Sequence, residues 1–257
     1  MRLQKRSILT VAAPGGNGLI IWRIFEYIDQ KRPTAFILEN VAGLSAADGG
    51  RCMAAIVEAL WSLEVYNVYW ELLNTREHGI PQNRPRYFLV GILKAVDLGF
   101  HFPRPLEQVP LERVLDPRMQ RPCFNDLPIQ AATEANVLRF LERFIAAGHD
   151  PFSEACVFDI DASANWGTAM VNCCPCFIRS RSKGYWVSNR GRRLRLPEAM
   201  RLQGIDCASF PLVVSEVQVW RQLGNSMSVN VLERLLVQLL FAAQLSGGAI
   251  LQDRYAP

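Results

Sequence analysis

Ala35-Phe36-Ile37-Leu38-Glu39-Asn40-Val41 places four apolar side chains in a row and follows them with a carboxylate and an amide. The apolar run is too short for a buried helix, so Ala35 to Leu38 reads as a buried strand. Before it, residues 18–30 carry Leu19, Trp22, Ile24, Phe25 and Ile28 at helical spacing, and Pro33 closes that helix. After it, Asp48 to Leu63 returns to a helical period. Val65 to Leu73 is rich in Val, Tyr and Trp, as strands are, and Arg86 to Leu93 is another apolar strand. The order helix, strand, helix, strand, loop, strand predicts an α/β layer with a mainly parallel sheet.

Beyond residue 100 the pattern changes. Pro103, Pro105, Pro110, Pro117, Pro122 and Pro128 forbid long regular elements. Thr133 to Ala147 reads as a helix, with Thr133 as N-cap and Gly148 just past its end. Short strands are expected at 155–159 and 184–188. Pro197 suits the first turn of a helix through Leu202, and a long helix is expected from Ser226 to Leu245. The chain therefore divides into an unassigned leader (1–13), a main domain (14–99 and 191–257) and a smaller, irregular module inserted at 100–190. No internal repeat or low-complexity segment is visible.

The 257 residues are half hydrophobic and one-fifth charged, which is globular composition and excludes a disordered or collagen-like chain. The net charge of +4 is modest. Its distribution is uneven: Arg179, Arg181, Lys183, Arg190, Arg192, Arg193, Arg195 and Arg201 crowd one stretch, with Glu198 the only acid inside it. Such a run is either a solvated face or a surface for nucleic acid. Seven cysteines, an odd number, fit a reducing compartment better than a disulfide framework. No apolar stretch approaches the ~20 residues of a membrane span, and no targeting signal is visible. The expectation is a soluble intracellular protein, nuclear if the source is eukaryotic. The three histidines have no zinc-ligand spacing, and Cys173-x-x-Cys176 lacks a second pair, so no metal is expected. Gly15-Gly16-Asn17-Gly18 lacks the spacing of a phosphate loop.

Four motifs carry chemistry. Glu39-Asn40-Val41 sits at the carboxyl end of the strand 35–38, where open α/β sheets bind ligands. Burial disfavours a charged carboxylate, so a glutamate there suits proton donation to a ring nitrogen. Gln82-Asn83-Arg84-Pro85-Arg86 enters the next strand, and alternation would put Arg84 and Arg86 on one face. Their planar forks suit a phosphate, a carbonyl oxygen or an ion pair with Glu39 or Glu77. Arg193-Leu194-Arg195-Leu196-Pro197-Glu198 leads into Met200-Arg201-Leu202-Gln203-Gly204. Gln222-Leu223-Gly224-Asn225-Ser226-Met227 precedes the last helix; a turn at a helix start exposes N–H groups to a ligand, or simply caps the helix with Asn225 or Ser226.

In this order and spacing the motifs resemble the cytosine-5 DNA methyltransferase family, from about Gly18 to Leu240 and weakly over 95–175, where that family carries its variable target-recognition region. The resemblance implies a Rossmann-like, S-adenosylmethionine-dependent methyltransferase fold, incomplete at its N-terminus, with 100–190 as the target-recognition insert. In that family a cysteine thiolate attacks carbon 6 of a cytosine flipped out of double-stranded DNA, and the methyl group of S-adenosylmethionine goes to carbon 5. By motif match, Glu39 would contact and protonate the ring nitrogen. Arg84 and Arg86 would bind the base carbonyl and a phosphate and keep Glu39 in place. Asn225 and Ser226 would line the cofactor pocket. Gln82, Arg190, Arg192, Arg193 and Arg195 would face DNA.

The sequence departs from the family at the nucleophile. Residues 1–38 contain no cysteine, the first being Cys52, and the family's Pro-Cys-Gln loop is absent. Pro122-Cys123 and Pro175-Cys176 are not followed by Gln. The Phe-x-Gly-x-Gly cofactor loop is missing too. The expectation is a truncated or inactive form, truncation being favoured by the intact downstream motifs, without methyl transfer as written. Two other readings stay open: a tRNA cytosine-5 methyltransferase of the same fold, and a non-catalytic DNA-binding relative.

Overall fold

A computed structural model describes residues 18–120, 122, 130–163, 166–181 and 184–256. The leader 1–13, the turn at Gly15 to Asn17, Cys123, Lys183 and the side chain of Leu19 lie outside the described residues. The strands among them are β1 (Ala35–Val41), β2 (Tyr66–Asn74), β3 (Gln82–Asn83), β4 (Pro85–Leu93), β5 (Cys156–Asp159), β6 (Ala169–Val171), β7 (Cys174–Pro175), β8 (Tyr185–Val187) and β9 (Arg192–Arg193). They fall into two compact units. The first takes residues 18–73, Pro85–Pro103 and Leu235–Asp253; the second takes Asn74–Arg84, Arg104–Arg234 and 254–256.

The first unit begins with the expected helix, Gly18–Lys31. Helix Arg51–Trp61 starts later than its periodicity suggested, because Asp48, Gly49 and Gly50 adopt left-handed backbone. It buries Met53, Ile56, Val57 and Leu60, one face at i, i+3, i+4 and i+7 spacing. These pack with Phe25 and Leu89, each contributing roughly 1.5–3 kcal/mol of burial. The sheet runs β1-β4-β2. β1 and β4 are antiparallel, from Ala35 opposite Ile92 to Val41 opposite Arg86, which corrects the expectation of a mainly parallel sheet for this pair. Pairing with Arg86 to Phe88 also extends β1 through Glu39, Asn40 and Val41, so that motif lies inside the strand. β1 is half-buried where a buried strand was expected, since among the described residues it is a sheet edge with β4 on one side.

In the second unit β3 lies parallel to β7, and β6-β5-β8-β9 form an antiparallel sheet. Helix Ala131–Ala146 lays Val137, Phe140, Leu141 and Phe144 on Cys156, Phe158 and Ile160. Its N-cap is Gln130; Thr133 sits buried in the first turn, its hydroxyl 3.5 Å from Gln130 Oε1. Gly148 follows the helix end with φ +86°. Helix Leu196–Leu202 has Pro197 in its first turn. Helix Glu216–Asn225 has no counterpart in the sequence reading, and it closes where a long helix was to begin, so the last helix starts only at Val229 (Val229–Ala242). Trp220, fully buried on Glu216–Asn225, packs against Phe177 with ring centroids 5.7 Å apart.

Gly91 faces Phe36 across β1 and β4, and a Cβ there would come within 2.1 Å of the Phe36 ring. Gly91→Ala is therefore expected to cost about 1–3 kcal/mol through overpacking and to lower the melting temperature by a few degrees. The loss should be non-additive with Phe36→Ala in a double-mutant cycle followed by circular dichroism. Additive losses would show that the ring relaxes freely.

Candidate functional site

In the first unit, Glu39 and Arg86 stand on neighbouring strands, with Glu39 Oε1 3.0 Å from Arg86 Nε. Only 17% and 14% of the two side chains are exposed. Arg86 also donates to the Pro85 carbonyl at 2.8 Å. The contact is a charge pair that sets the carboxylate beside the guanidinium; Glu39 Oε1 has no hydrogen-bond partner among the described residues.

Arg84 does not share that face. It precedes β4, whose first residue is Pro85, so strand alternation does not reach it. It belongs to the second unit, is almost wholly buried, and its N–H donates to Asn74 Oδ1 at 2.9 Å. One guanidinium nitrogen donates to the Phe177 carbonyl at 3.1 Å and lies 3.4 Å from Cys176 Sγ. The other donates to the carbonyls of Gly224 (3.3 Å) and Ser226. The turn around Asn225 thus ends a helix instead of starting one. It offers carbonyls, not N–H groups, and a cation is what satisfies carbonyls at a helix C-terminus. Gly224 is required by contact: a Cβ would lie 2.5 Å from the backbone of Ile178 and Arg179.

Asn225 is exposed, and the Ser226 hydroxyl donates to the Leu223 carbonyl at 3.1 Å. Asn225 Oδ1 and the Ser226 oxygen can still accept hydrogen bonds, but an exposed amide and a half-buried hydroxyl form no enclosed cradle for a sulfonium amino acid. By themselves these two residues do not fit S-adenosylmethionine. The burial of Cys156 and Cys173 pushes both thiols up to about 11, and burial also raises Cys174. Such thiols are poor sources of thiolate.

The basic stretch meets acids from elsewhere in the chain. Glu198 is fully buried; its oxygens accept from both terminal nitrogens of Arg192 (2.8 and 2.9 Å) and from the N–H groups of Asp116 and Arg195, each at 2.8 Å. Arg190 grips Glu112 at 2.6 and 3.2 Å. Asp116 takes Arg201 at 2.6 Å and Arg195 at 3.1 Å, and Arg193 pairs with Asp161 at 3.3 Å. Burial pushes the Asp116 carboxyl up, but Arg201 and Arg195 outweigh it and hold the group below the usual carboxylate range. Arg190, acting against burial and helped by Asn189, holds Glu112 low as well. Of the four arginines expected to face DNA, Arg195 is 59% exposed and Arg193 34%, while Arg190 is 5%. Gln82 is fully buried, and its amide has no hydrogen-bond partner among the described residues.

Sequence reasoning missed the buried polar residues that hold segment 74–84. Asn74 donates to Asn83 Oδ1 at 2.8 Å, Arg234 reaches His78 Nδ1 at 2.6 Å, and Asn230 donates to the His78 carbonyl at 2.8 Å. No local pattern marks them, since each is defined by a distant partner.

The profile of the family described as C-5 cytosine-specific DNA methylase matches residues 12–147 and 155–240. The type II methyltransferase M.NgoBI of Neisseria gonorrhoeae is 32% identical over 231 residues, 89% of this chain and 68% of that protein. M.HaeII of Haemophilus aegyptius is 28% identical over 253 residues, 92% of this chain and 70% of that protein. Among solved structures, the Dnmt2 methyltransferase of S. pombe superposes with a TM-score of 0.50 at 17% identity, covering 84% of this chain and 71% of that one. DNMT2 of Spodoptera frugiperda gives 0.54 at 15% identity over 86% and 70%. These likenesses place the chain in the Rossmann-like methyltransferase fold.

Arg84→Ala would strand three carbonyls and is expected to cost about 3 kcal/mol; Arg84→Lys should recover only part, because one ammonium cannot fork. Urea denaturation midpoints measure both, and an unchanged midpoint for Arg84→Ala would contradict the buried role. The depressed Asp116 and Glu112 carboxyls add stability that is complete above the unfolded carboxylate range (~4) and is lost as pH falls through their lower folded values. Melting temperature should therefore drop below about pH 4, and the drop should be smaller in Asp116→Asn.

Proposed function

We propose a function that starts from one fact: the chain belongs to the C-5 cytosine-specific DNA methylase family, which methylates cytosine in DNA at carbon 5. Within that chemistry this chain carries the parts that hold a cytosine and the DNA around it. The observation that carries the reading is the Glu39–Arg86 pair, 3.0 Å apart at the far end of β1. Glu39 contacts the ring nitrogen of a flipped cytosine and gives it a proton. Arg86 keeps the carboxylate in place and contacts the base carbonyl. Arg84 acts through position, by clamping the 224–226 turn, and does not touch substrate while its donors serve backbone carbonyls. Arg193 and Arg195 face DNA, whereas Arg190 and Arg192 support that face from within through Glu112 and Glu198; Gln82 is buried.

Residues 14–99 and 191–257 form the catalytic domain in this reading, and 100–190 the target-recognition region. S-adenosylmethionine supplies the methyl group in this family. The family's glycine-rich loop is missing from the sequence, and Asn225 and Ser226 alone do not fit the cofactor, so binding by residues 1–257 is weak. With no cysteine in residues 1–38, nothing occupies the nucleophile's place before Glu39, and these residues alone do not transfer methyl groups.

Two measurements test this. Purified 1–257, incubated with duplex DNA and S-adenosylmethionine labelled in its methyl group, is expected to leave the DNA unlabelled; transfer of label would overturn the inactivity. A duplex with a mismatched cytosine, which flips at lower cost, should bind several-fold more tightly than its matched counterpart. Glu39→Gln should erase that preference, and a preference that survives would remove Glu39 from the base.

A further inference from the structure

A cavity of about 480 Å³ opens in the second unit between segment 116–120 and the arginines of 190–195. Its rear wall is rigid. Arg190 is saturated by Glu112, the Asn189 side chain and the Asp116 carbonyl, and Arg192 spends both terminal nitrogens on fully buried Glu198. Both oxygens of Asp116 are taken, one by Arg201 and one by Arg195. Among the described residues, the cluster sets five guanidiniums, on Arg118, Arg190, Arg192, Arg195 and Arg201, against three carboxylates, on Glu112, Asp116 and Glu198. The imbalance is positive. It concentrates at the mouth, where Arg195 is 59% exposed and exposed Arg118 makes a 3.3 Å contact to the Phe152 carbonyl.

From this geometry we infer that the cavity is an anion subsite that seats one backbone phosphodiester of duplex DNA, gripped by Arg118 and Arg195. Planar forks of donors match a phosphate in two-pronged fashion. The inner arginines are held by carboxylates, Arg192 by buried Glu198 and Arg190 by half-exposed Glu112, so the wall behind the anion is preset. The inner arginines are structural and carry the field; the two outer ones make the contact. Arg118 stands outside the basic run of 179–201, with Arg121 between Pro117 and Pro122. The assignment rests on the DNA-binding reading above.

The test uses the full 1–257 chain and a fluorescein-labelled duplex, with anisotropy titrations from 50 to 300 mM KCl. Wild type should show log K falling linearly with log salt. Arg118→Ala/Arg195→Ala should flatten that slope by about 0.9 for each phosphate left without its arginine and weaken binding roughly tenfold at low salt. Asp116 keeps Arg201 in this variant, so the melting temperature should move little. Arg118→Lys/Arg195→Lys, which retains the charge, should restore the slope. Gln120→Glu, an exposed change in the same lining, is an independent probe that leaves every ion pair in place and should weaken binding several-fold. Salt-dependent binding that is unaltered in the double alanine variant and in Gln120→Glu overturns the subsite alone. A wild-type chain with no salt-dependent DNA binding overturns the DNA reading and the subsite together.

Discussion

A carboxylate removed from water is tolerated only when its lone pairs are answered, and Glu198 is answered four times. An isolated buried charge would cost several kcal/mol even after relaxation. The chain therefore cannot place Glu198 without also placing Arg192, the Arg195 amide and the Asp116 amide. Those three groups come from a strand, the start of a helix and a proline-rich loop. One buried oxygen pair thereby joins the distant loop at Asp116 to the local cap formed by Arg192 to Glu198. Asp116, whose backbone is fixed in this way, in turn binds Arg195 and Arg201 with its side chain. The arginine face is consequently a preset array whose geometry follows from a single desolvated acid.

A second constraint of the same kind operates at Arg84. Its guanidinium answers carbonyls at the end of helix Glu216–Asn225 and at Phe177, while Gly224 leaves no space between them for a side chain. The 84–86 segment thus divides its labour at the strand boundary. Arg84, before the strand, stabilises a turn; Arg86, within it, orients a carboxylate. Two arginines two residues apart do unrelated work because Pro85 is where β4 begins.

Much of the architecture was readable from local pattern. Helices 18–31 and 51–61 and strands β1, β2 and β4 announce themselves through apolar periodicity, which reflects one buried face per element. Helix Glu216–Asn225 was obscured by the apolar run Phe210 to Val214 before it, although Ser215 and Gln218 form a usable start signal: the Gln218 side chain accepts from the Ser215 N–H at 3.2 Å. Strand direction was not readable, because apolar composition is the same whichever way a strand runs. Of the candidate site, an ion pair of Arg84 or Arg86 with Glu39 or Glu77 was legible, and the fold selects Arg86 with Glu39. The burial of Gln82 and the duty of Arg84 were not, because both depend on segments about 90 to 140 residues away.

The order of motifs, the periodic elements and the identity of the residues able to do chemistry are properties of neighbouring positions, and they carry the chain's resemblance to the cytosine-5 methylases. The partners of the charged groups are different in kind. The sequence shows eight basic residues around one acid at 179–201, while the folded chain brings Glu112, Asp116, Asp159 and Asp161 to them. Pairing across such separations is set by strand register and core packing, not by adjacency. Folding alone therefore determines which arginines are spent on stability and which are left to meet a ligand.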